Sequence, residues 1–223
     1  SPYMLNCNVI AIDLAKNLFQ VCKTQSNGKV IYNKTISRAK LKELLIKEQQ
    51  SLVAMESCGG THYWAQFAKQ AGHQIKAINA RQVKAFRQGQ KTDANDALAI
   101  SVAARQPHIK GSRLLSVQEQ CLQGIECMRD LLVKQKVSLG NQLRALLLEF
   151  GYPIAQGDTK LTQAIPEILE DAENSLTGAF RFTINRVYQR FTEAVEEVKL
   201  IEKQLHEVIK EDQTCIRLQA LEG

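Results

Sequence analysis

Two short apolar runs, each closed by an acid, constrain this chain most: Val9-Ile10-Ala11-Ile12 ends in Asp13, and Leu52-Val53-Ala54-Met55 ends in Glu56. A brief, continuously apolar segment is what a central strand covered on both faces looks like. Around them, residues 8–36 read as three strands, 8–13, 18–24 and 29–36, with Ser26-Asn27-Gly28 as the hairpin turn. Ser37 is placed to N-cap a helix carrying Leu41, Leu44 and Leu45. Gly59-Gly60-Thr61 breaks the strand at 52–56 and starts a helix bearing Trp64, Phe67 and Ala68, which Gly72 ends. A strand at 74–79, helices at about 81–88 and 93–105, and Pro107 complete the pattern. The prediction is an α/β domain over residues 1–113, with a sheet that is antiparallel first and then parallel.

Residues 114–223 read as helical. From Ile125, the positions Met128, Leu132, Leu139, Leu143, Leu146 and Phe150 keep steps of three and four, with Gln135 as a polar interruption, until Gly151-Tyr152-Pro153. After a linker, Ile184, Val187, Phe191, Ala194, Val198, Ile201, Leu205 and Val208 alternate such steps without a miss. That pattern predicts a coiled coil, either as a hairpin within the chain or between chains.

Charge divides at the same place. Residues 1–113 hold 17 Lys and Arg against 6 Asp and Glu, a net +11, whereas residues 114–223 hold 12 against 17, a net −5. A strongly positive domain draws polyanions by releasing their counterions. The six cysteines show no CxxC pair, and no histidine stands at zinc-ligand spacing, which predicts reduced, mostly buried thiols in a cytoplasm. No run suggests a membrane span or a secretory leader.

Four of the six acids in the basic part are Asp13, Glu56, Asp93 and Asp96. Asp13 and Glu56 stand at strand ends, and Asp93 and Asp96 are three apart, hence on one face of a helix. Singly, each has an ordinary use: Asp13 caps a turn, Glu56 pairs with a lysine, Asp93 caps the helix that Lys91-Thr92 introduces. Jointly, acids so scarce and so placed point to divalent metal beside a phosphodiester. Lys16, Arg81, Lys84, Arg87 and Lys91 lie near them in sequence, and Arg81, Lys84 and Arg87 recur at helical spacing as candidate phosphate contacts. Tyr63, Trp64 and Phe67 read as core, and His62 and His73 as structural.

The stretches Ala11-Ile12-Asp13-Leu14-Ala15-Lys16-Asn17, Met55-Glu56-Ser57-Cys58-Gly59-Gly60-Thr61-His62-Tyr63-Trp64 and Lys91-Thr92-Asp93-Ala94-Asn95-Asp96-Ala97 resemble, in order, the three motifs of the DEDD transposases of the IS110/IS1111 insertion-sequence family, relatives of the Piv invertase. The helical stretch from Arg129-Asp130-Leu131-Leu132 to Gly151 is similar as well. The resemblance implies a RuvC-like, RNase H-type fold for the first domain, with the four carboxylates binding Mg²⁺, for which Mn²⁺ can substitute. It implies a bacterial cytoplasmic recombinase acting on donor and target DNA, guided by a structured non-coding bridge RNA, and a dimer or tetramer formed through the helical region. Family members continue into a second catalytic domain that supplies a serine. Leu221-Glu222-Gly223 resembles its start, so the present chain is expected to lack a complete strand-exchange site. Two other functions share these residues: a RuvC-like junction resolvase or RNase H-type nuclease acting through metal-activated water, and a non-catalytic RNA-binding and oligomerisation module.

Overall fold

The computed structural model describes residues 7–222, with side chains described as far as Glu211. Cys215 and the Leu221-Glu222-Gly223 resemblance therefore lie outside the described side chains. The chain divides into two compact units, residues 1–115 and 116–223.

The first unit is built on a five-stranded sheet of order β3-β2-β1-β4-β5. The strands are β1 (Val9–Asp13), β2 (Leu18–Thr24), β3 (Val30–Ser37), β4 (Leu52–Glu56) and β5 (Gln74–Ile78). β1, β2 and β3 pair antiparallel, and β4 and β5 continue from β1 in parallel. This is the mixed α/β sheet with flanking helices that the sequence predicts. Helices α1 (Arg38–Lys47) and α2 (Thr61–Gln70) cover one face, where Ile10, Ile12, Val53 and Met55 pack on Leu41, Leu45, Trp64 and Ala68. α3 (Ala80–Lys84) and α4 (Asp93–Arg105) cover the other, where Val9, Ala11, Leu52 and Ala54 meet Val83, Ala97, Ile100 and Ala104. Because side chains alternate along a strand, Asp13 and Glu56 continue the series Val9-Ala11 and Leu52-Ala54 onto the α4 face.

α4 runs antiparallel to β1, and buried polar contacts fix it there. At its C-terminus the buried Lys76 ammonium donates to the carbonyls of Ala104 (2.9 Å) and Gln106 (3.3 Å), complementing the negative end of the helix. Arg105 donates to the carbonyls of Cys7 and Thr24 at the opening of β1 and the close of β2. Midway, the hydroxyls of Ser101 and Thr24 share a buried hydrogen bond of 2.8 Å. The N-terminus of α4 is thereby directed to the strand ends that carry Asp13 and Glu56.

The second unit pairs α5 (Val117–Leu148) with α7 (Gly178–Glu222), with α6 (Asp158–Glu170) between them in sequence and packed on both. On α7, Ile184, Phe191, Ala194 and Val198 are buried and Val187, Ile201, Leu205 and Val208 half-buried, so the regular apolar seam faces inward. On α5 the expectation fails in part. Met128 and Leu146 are exposed (58% and 36%), as is Phe150 (45%) beyond the helix end, and the inward positions are Arg129, Leu132 and Lys136, followed by Gly140, Leu143 and Leu147. Polar residues can occupy this seam because each has a partner: Arg129 pairs with Glu202 at 2.7 Å and Lys136 with Asp158 at 2.6 Å. Gly140 marks the closest approach, since a Cβ there would stand 3.1 Å from the Phe191 ring.

α6 forms where the sequence suggests only a linker. Its buried side chains Leu161, Ile165 and Ile168 keep helical spacing, but Pro166 inside the helix disguises them. Pro166 has no N–H to offer the Thr162 carbonyl four residues earlier, and the Tyr188 hydroxyl donates to that carbonyl instead, at 3.0 Å. The thiols also depart from expectation: of the five described, Cys58, Cys121 and Cys127 are exposed and only Cys22 is buried.

Candidate metal and nucleic-acid site

β1 and β4 are in register from Val9 beside Leu52 to Ile12 beside Met55, which makes Asp13 and Glu56 the next neighbours at the strand ends. Across β1, Asp13 pairs with Gln20, and Gln20 with Thr35, so one polar row crosses the sheet at this level. The Thr35 hydroxyl donates to Gln20 Oε1 (2.6 Å), and Gln20 Nε2 donates to Asn33 Oδ1 (2.7 Å). Asn33 Nδ2 in turn donates to the Ala94 carbonyl (2.9 Å), tying the sheet to the first turn of α4. That turn holds Asp93 and Asp96 beyond the N-cap Thr92, whose hydroxyl accepts from the Asn95 N–H. Carboxylates in a first helical turn meet its positive end.

The electrostatics follow from this convergence. The Asp13 carboxyl is pushed up from 3.8 to about 6, first by burial and then by the negative charges of Asp96, Asp93 and Glu56, with Arg87 opposing. Each of the other three carboxylates is thus close enough to Asp13 to make its ionisation harder. Arg87 and Asp96 form an ion pair, whereas among the described residues Asp13, Glu56 and Asp93 have no ion-pair partner. No three Asp, Glu, His or Cys side chains among the described residues form a ready-made metal cage. The arrangement is a gathering of oxygen donors around a carboxyl that resists ionisation. Oxygen donors of this kind suit a hard divalent cation that keeps water in its coordination shell.

The family model of the IS110-type DEDD transposases, described as Transposase, matches residues 10–152, a span that includes all four carboxylates. This chain belongs to that family. It is 30% identical over 220 residues to the transposase for insertion sequence element IS1111A of Coxiella burnetii, covering 99% of this chain and 60% of that protein. It is 32% identical over 222 residues to the transposase for IS1328 of Yersinia enterocolitica, covering 99% and 65%. A probable family 20 transposase of Pseudomonas aeruginosa is 31% identical, covering 98% and 65%. This IS110-family chain thus spans 60–65% of the length of these curated relatives. Among solved structures it is similar to Thermus thermophilus RuvC, in a complex with a Holliday junction substrate and in a second structure. Identity is 15%, with TM-scores of 0.36 and 0.34, covering 48% and 47% of this chain and 99% of each RuvC chain.

In this IS110-family chain the basic residues do not form the single stripe that their spacing suggests. α3 ends at Lys84, so Arg81 and Lys84 lie on it, exposed, while Arg87 lies beyond it and turns in to Asp96. The chain is brought back by Gly89 at φ +75°, and Asn95 holds the Gln90 carbonyl at 2.8 Å. Lys16, in the turn between β1 and β2, and Lys91 are exposed. His73 is structural: its Nδ1 accepts from the Ser51 N–H and its Nε2 bonds the Leu45 carbonyl at 2.7 Å. Tyr63 departs from the core assignment and is 42% exposed. The residues that sequence reasoning missed are Gln20, Asn33 and Thr35. Their signal is Gln20 sitting in phase with Cys22 and Thr24 on the α4 face, a polar residue where the alternation calls for an apolar one.

Proposed function

We propose that this chain is the metal-binding part of an insertion-sequence transposase, a site-specific DNA recombinase that uses Asp13, Glu56, Asp93 and Asp96 against DNA phosphodiesters. The observation that carries this reading is the state of Asp13, a half-buried carboxyl raised to about 6 by burial and by three other acids in a unit otherwise rich in cations. Such a group gains most from a divalent cation. Asp13, Glu56, Asp93 and Asp96 would hold Mg²⁺ or Mn²⁺, whose chemistry when bound is to activate an attacking oxygen and stabilise a leaving one at phosphorus. Gln20, Asn33 and Thr35 orient α4, and Arg87 holds Asp96 until it is exchanged. Arg81, Lys84, Lys91 and Lys16 place the phosphate backbone without reading its sequence.

The reading extends to a structured bridge RNA pairing with donor and target DNA, supported by the resemblance of the three motifs and by the +11 charge of residues 1–113. It extends to a dimer or tetramer through the helical unit, supported by Met128, Leu131, Val137 and Leu200, apolar side chains exposed on α5 and α7. Among the described residues no helix is long and apolar enough to cross a membrane, and a bacterial cytoplasm is the compartment that suits an enzyme of chromosomal DNA.

Calorimetric titration of the metal-free chain with Mg²⁺ and Mn²⁺ tests the centre of this reading. Asp13→Asn and Glu56→Gln should each weaken binding by at least about tenfold, as loss of a charged ligand does. Metal affinity unchanged in both variants would overturn it.

A further inference from the structure

A second feature gathers near the same strand ends, on the opposite face of the sheet. Tyr63 lies on α2 with its ring outward, while its neighbour Trp64 is buried and meets it edge-on at 5.3 Å. The Arg38 guanidinium stands 5.2 Å from the ring centroids of both Tyr63 and Trp64. The Lys42 ammonium stands 5.7 Å from those of Tyr63 and Phe67. Lys42, by hydrogen bond and charge, also draws the Tyr63 phenol below its usual range. Toward the other end of α1, Lys23 and Lys47 pair with Glu48 and Glu43. Among the described residues, Arg38 and Lys42 have no carboxylate partner.

The location gives the patch meaning. Arg38 donates to the Lys16 carbonyl at 3.4 Å, which brings in the turn that follows Asp13. The Thr61 hydroxyl at the start of α2 donates to the Glu56 carbonyl at 3.1 Å, so Tyr63 stands one short turn from the end of β4. The patch begins where the carboxylates end. An exposed ring with unneutralised cations over it offers an aromatic face and a phosphate anchor together. A duplex keeps its base faces stacked, whereas an unpaired nucleotide presents base and phosphate at once.

We propose that Tyr63, Arg38, Lys42 and Lys16 form a platform for one unpaired nucleotide of a single-stranded nucleic acid, the base stacking on Tyr63 and the phosphate held by Arg38 and Lys42. This deepens the recombinase reading and rests on it for the onward path of the strand to the carboxylates. The platform itself requires no metal. Nothing in the patch selects for a 2′-hydroxyl, so single-stranded RNA and DNA bind alike.

The test is fluorescence anisotropy of the full chain in EDTA, with labelled single-stranded RNA, single-stranded DNA and duplex DNA of about 12 nucleotides, a length within the range of single-strand sites. Tyr63→Leu should weaken both single strands by about five- to a hundredfold, the range for losing one stacked base, and change duplex affinity less than about twofold. Tyr63→Phe, which keeps the ring, should bind as the parent does. Arg38→Gln with Lys42→Gln should lower the salt dependence of single-strand binding by about 0.7 for each phosphate no longer neutralised. Emission from Trp64, the single tryptophan of the chain, verifies that each variant is folded. Equal loss for duplex and single strands in a folded Tyr63→Leu variant, or no loss at all, would overturn the platform. Neither result touches the carboxylates, whose failure is read separately by the metal titration of Asp13→Asn.

Discussion

Acids serve different ends at the helix contacts of one unit and at the strand ends of the other. In the helical unit Glu202 and Asp158 neutralise Arg129 and Lys136, and the pairs sit where one helix meets the next. In the sheet unit cations outnumber acids almost three to one, yet Asp13, Glu56 and Asp93 stand without an ion-pair partner among the described residues. The first arrangement serves packing, because opposite charges can face each other where two helices meet. The second is unfavourable for folding, because it holds like charges together and raises the Asp13 carboxyl to about 6.

The largest effect separates the seam of the helical unit from its periodicity. Phe191 is 1% exposed against Gly140, whereas Met128, on equally regular spacing, is 58% exposed. Phe191→Ala should cost about 3–5 kcal/mol, the usual range for emptying a buried aromatic site. Met128→Ala should stay within about 0.5 kcal/mol in the monomeric chain. Urea denaturation followed by circular dichroism measures both. Equal losses at the two positions would mean that the inward face of α5 is misassigned.

How far the sequence could be read follows the same division. The strands were legible because their apolar residues run continuously or alternate, and Asp13, Glu56 and the extent of α4 came with them. The role of Arg87 was not legible: its spacing from Arg81 and Lys84 is helical, but the helix stops at Lys84 and the chain turns back through Gly89. α7 was legible for the regularity of its seam. α5 was not, because Arg129, Lys136 and Gly140 occupy inward positions that no hydropathy pattern would select. Partners distant in sequence, Glu202, Asp158 and Phe191, make those positions tolerable. Pro166 hid α6 because its cure, the Tyr188 hydroxyl, also lies far along the chain. What reads poorly in one dimension is a residue whose justification comes from elsewhere in three.

A middle-sized effect sharpens the unfavourable charge in the sheet unit. Between pH 3.8 and about 6 the folded chain holds a proton on Asp13 that the unfolded chain releases. Its contribution to stability is therefore full below the lower value and is lost as pH rises through the upper one. Discounted for the solvent that screens a half-exposed group, the loss is about 1 kcal/mol. Metal-free protein should melt at lower temperature at pH 7.5 than at pH 5.5. Asp13→Asn should raise the melting temperature at pH 7.5 and remove this part of the pH dependence, while Mg²⁺ should do the same for the parent alone. An Asp13→Asn variant less stable than the parent at pH 7.5 would mean that the carboxylate is matched after all, and that the contrast between the units is false.

The smallest effect concerns what matched charge achieves. Arg129 and Glu202 are 36% and 46% exposed at the side chain, so solvent screens them and the pair contributes little by charge alone. Its importance lies in geometry. Arg129 Nη2 and Nε both donate to Glu202 Oε1, at 2.7 and 3.1 Å, which selects one alignment of α5 against α7. Arg129→Glu sets two carboxylates opposite each other, and Glu202→Arg sets two cations there. Either change alone should therefore lower stability by more than loss of the pair itself. The double exchange, Arg129→Glu with Glu202→Arg, should recover most of the difference, because the acid and the base again face each other across the helices. A double exchange no more stable than the sum of its parts would show that the pair lies beside the seam and does not set it.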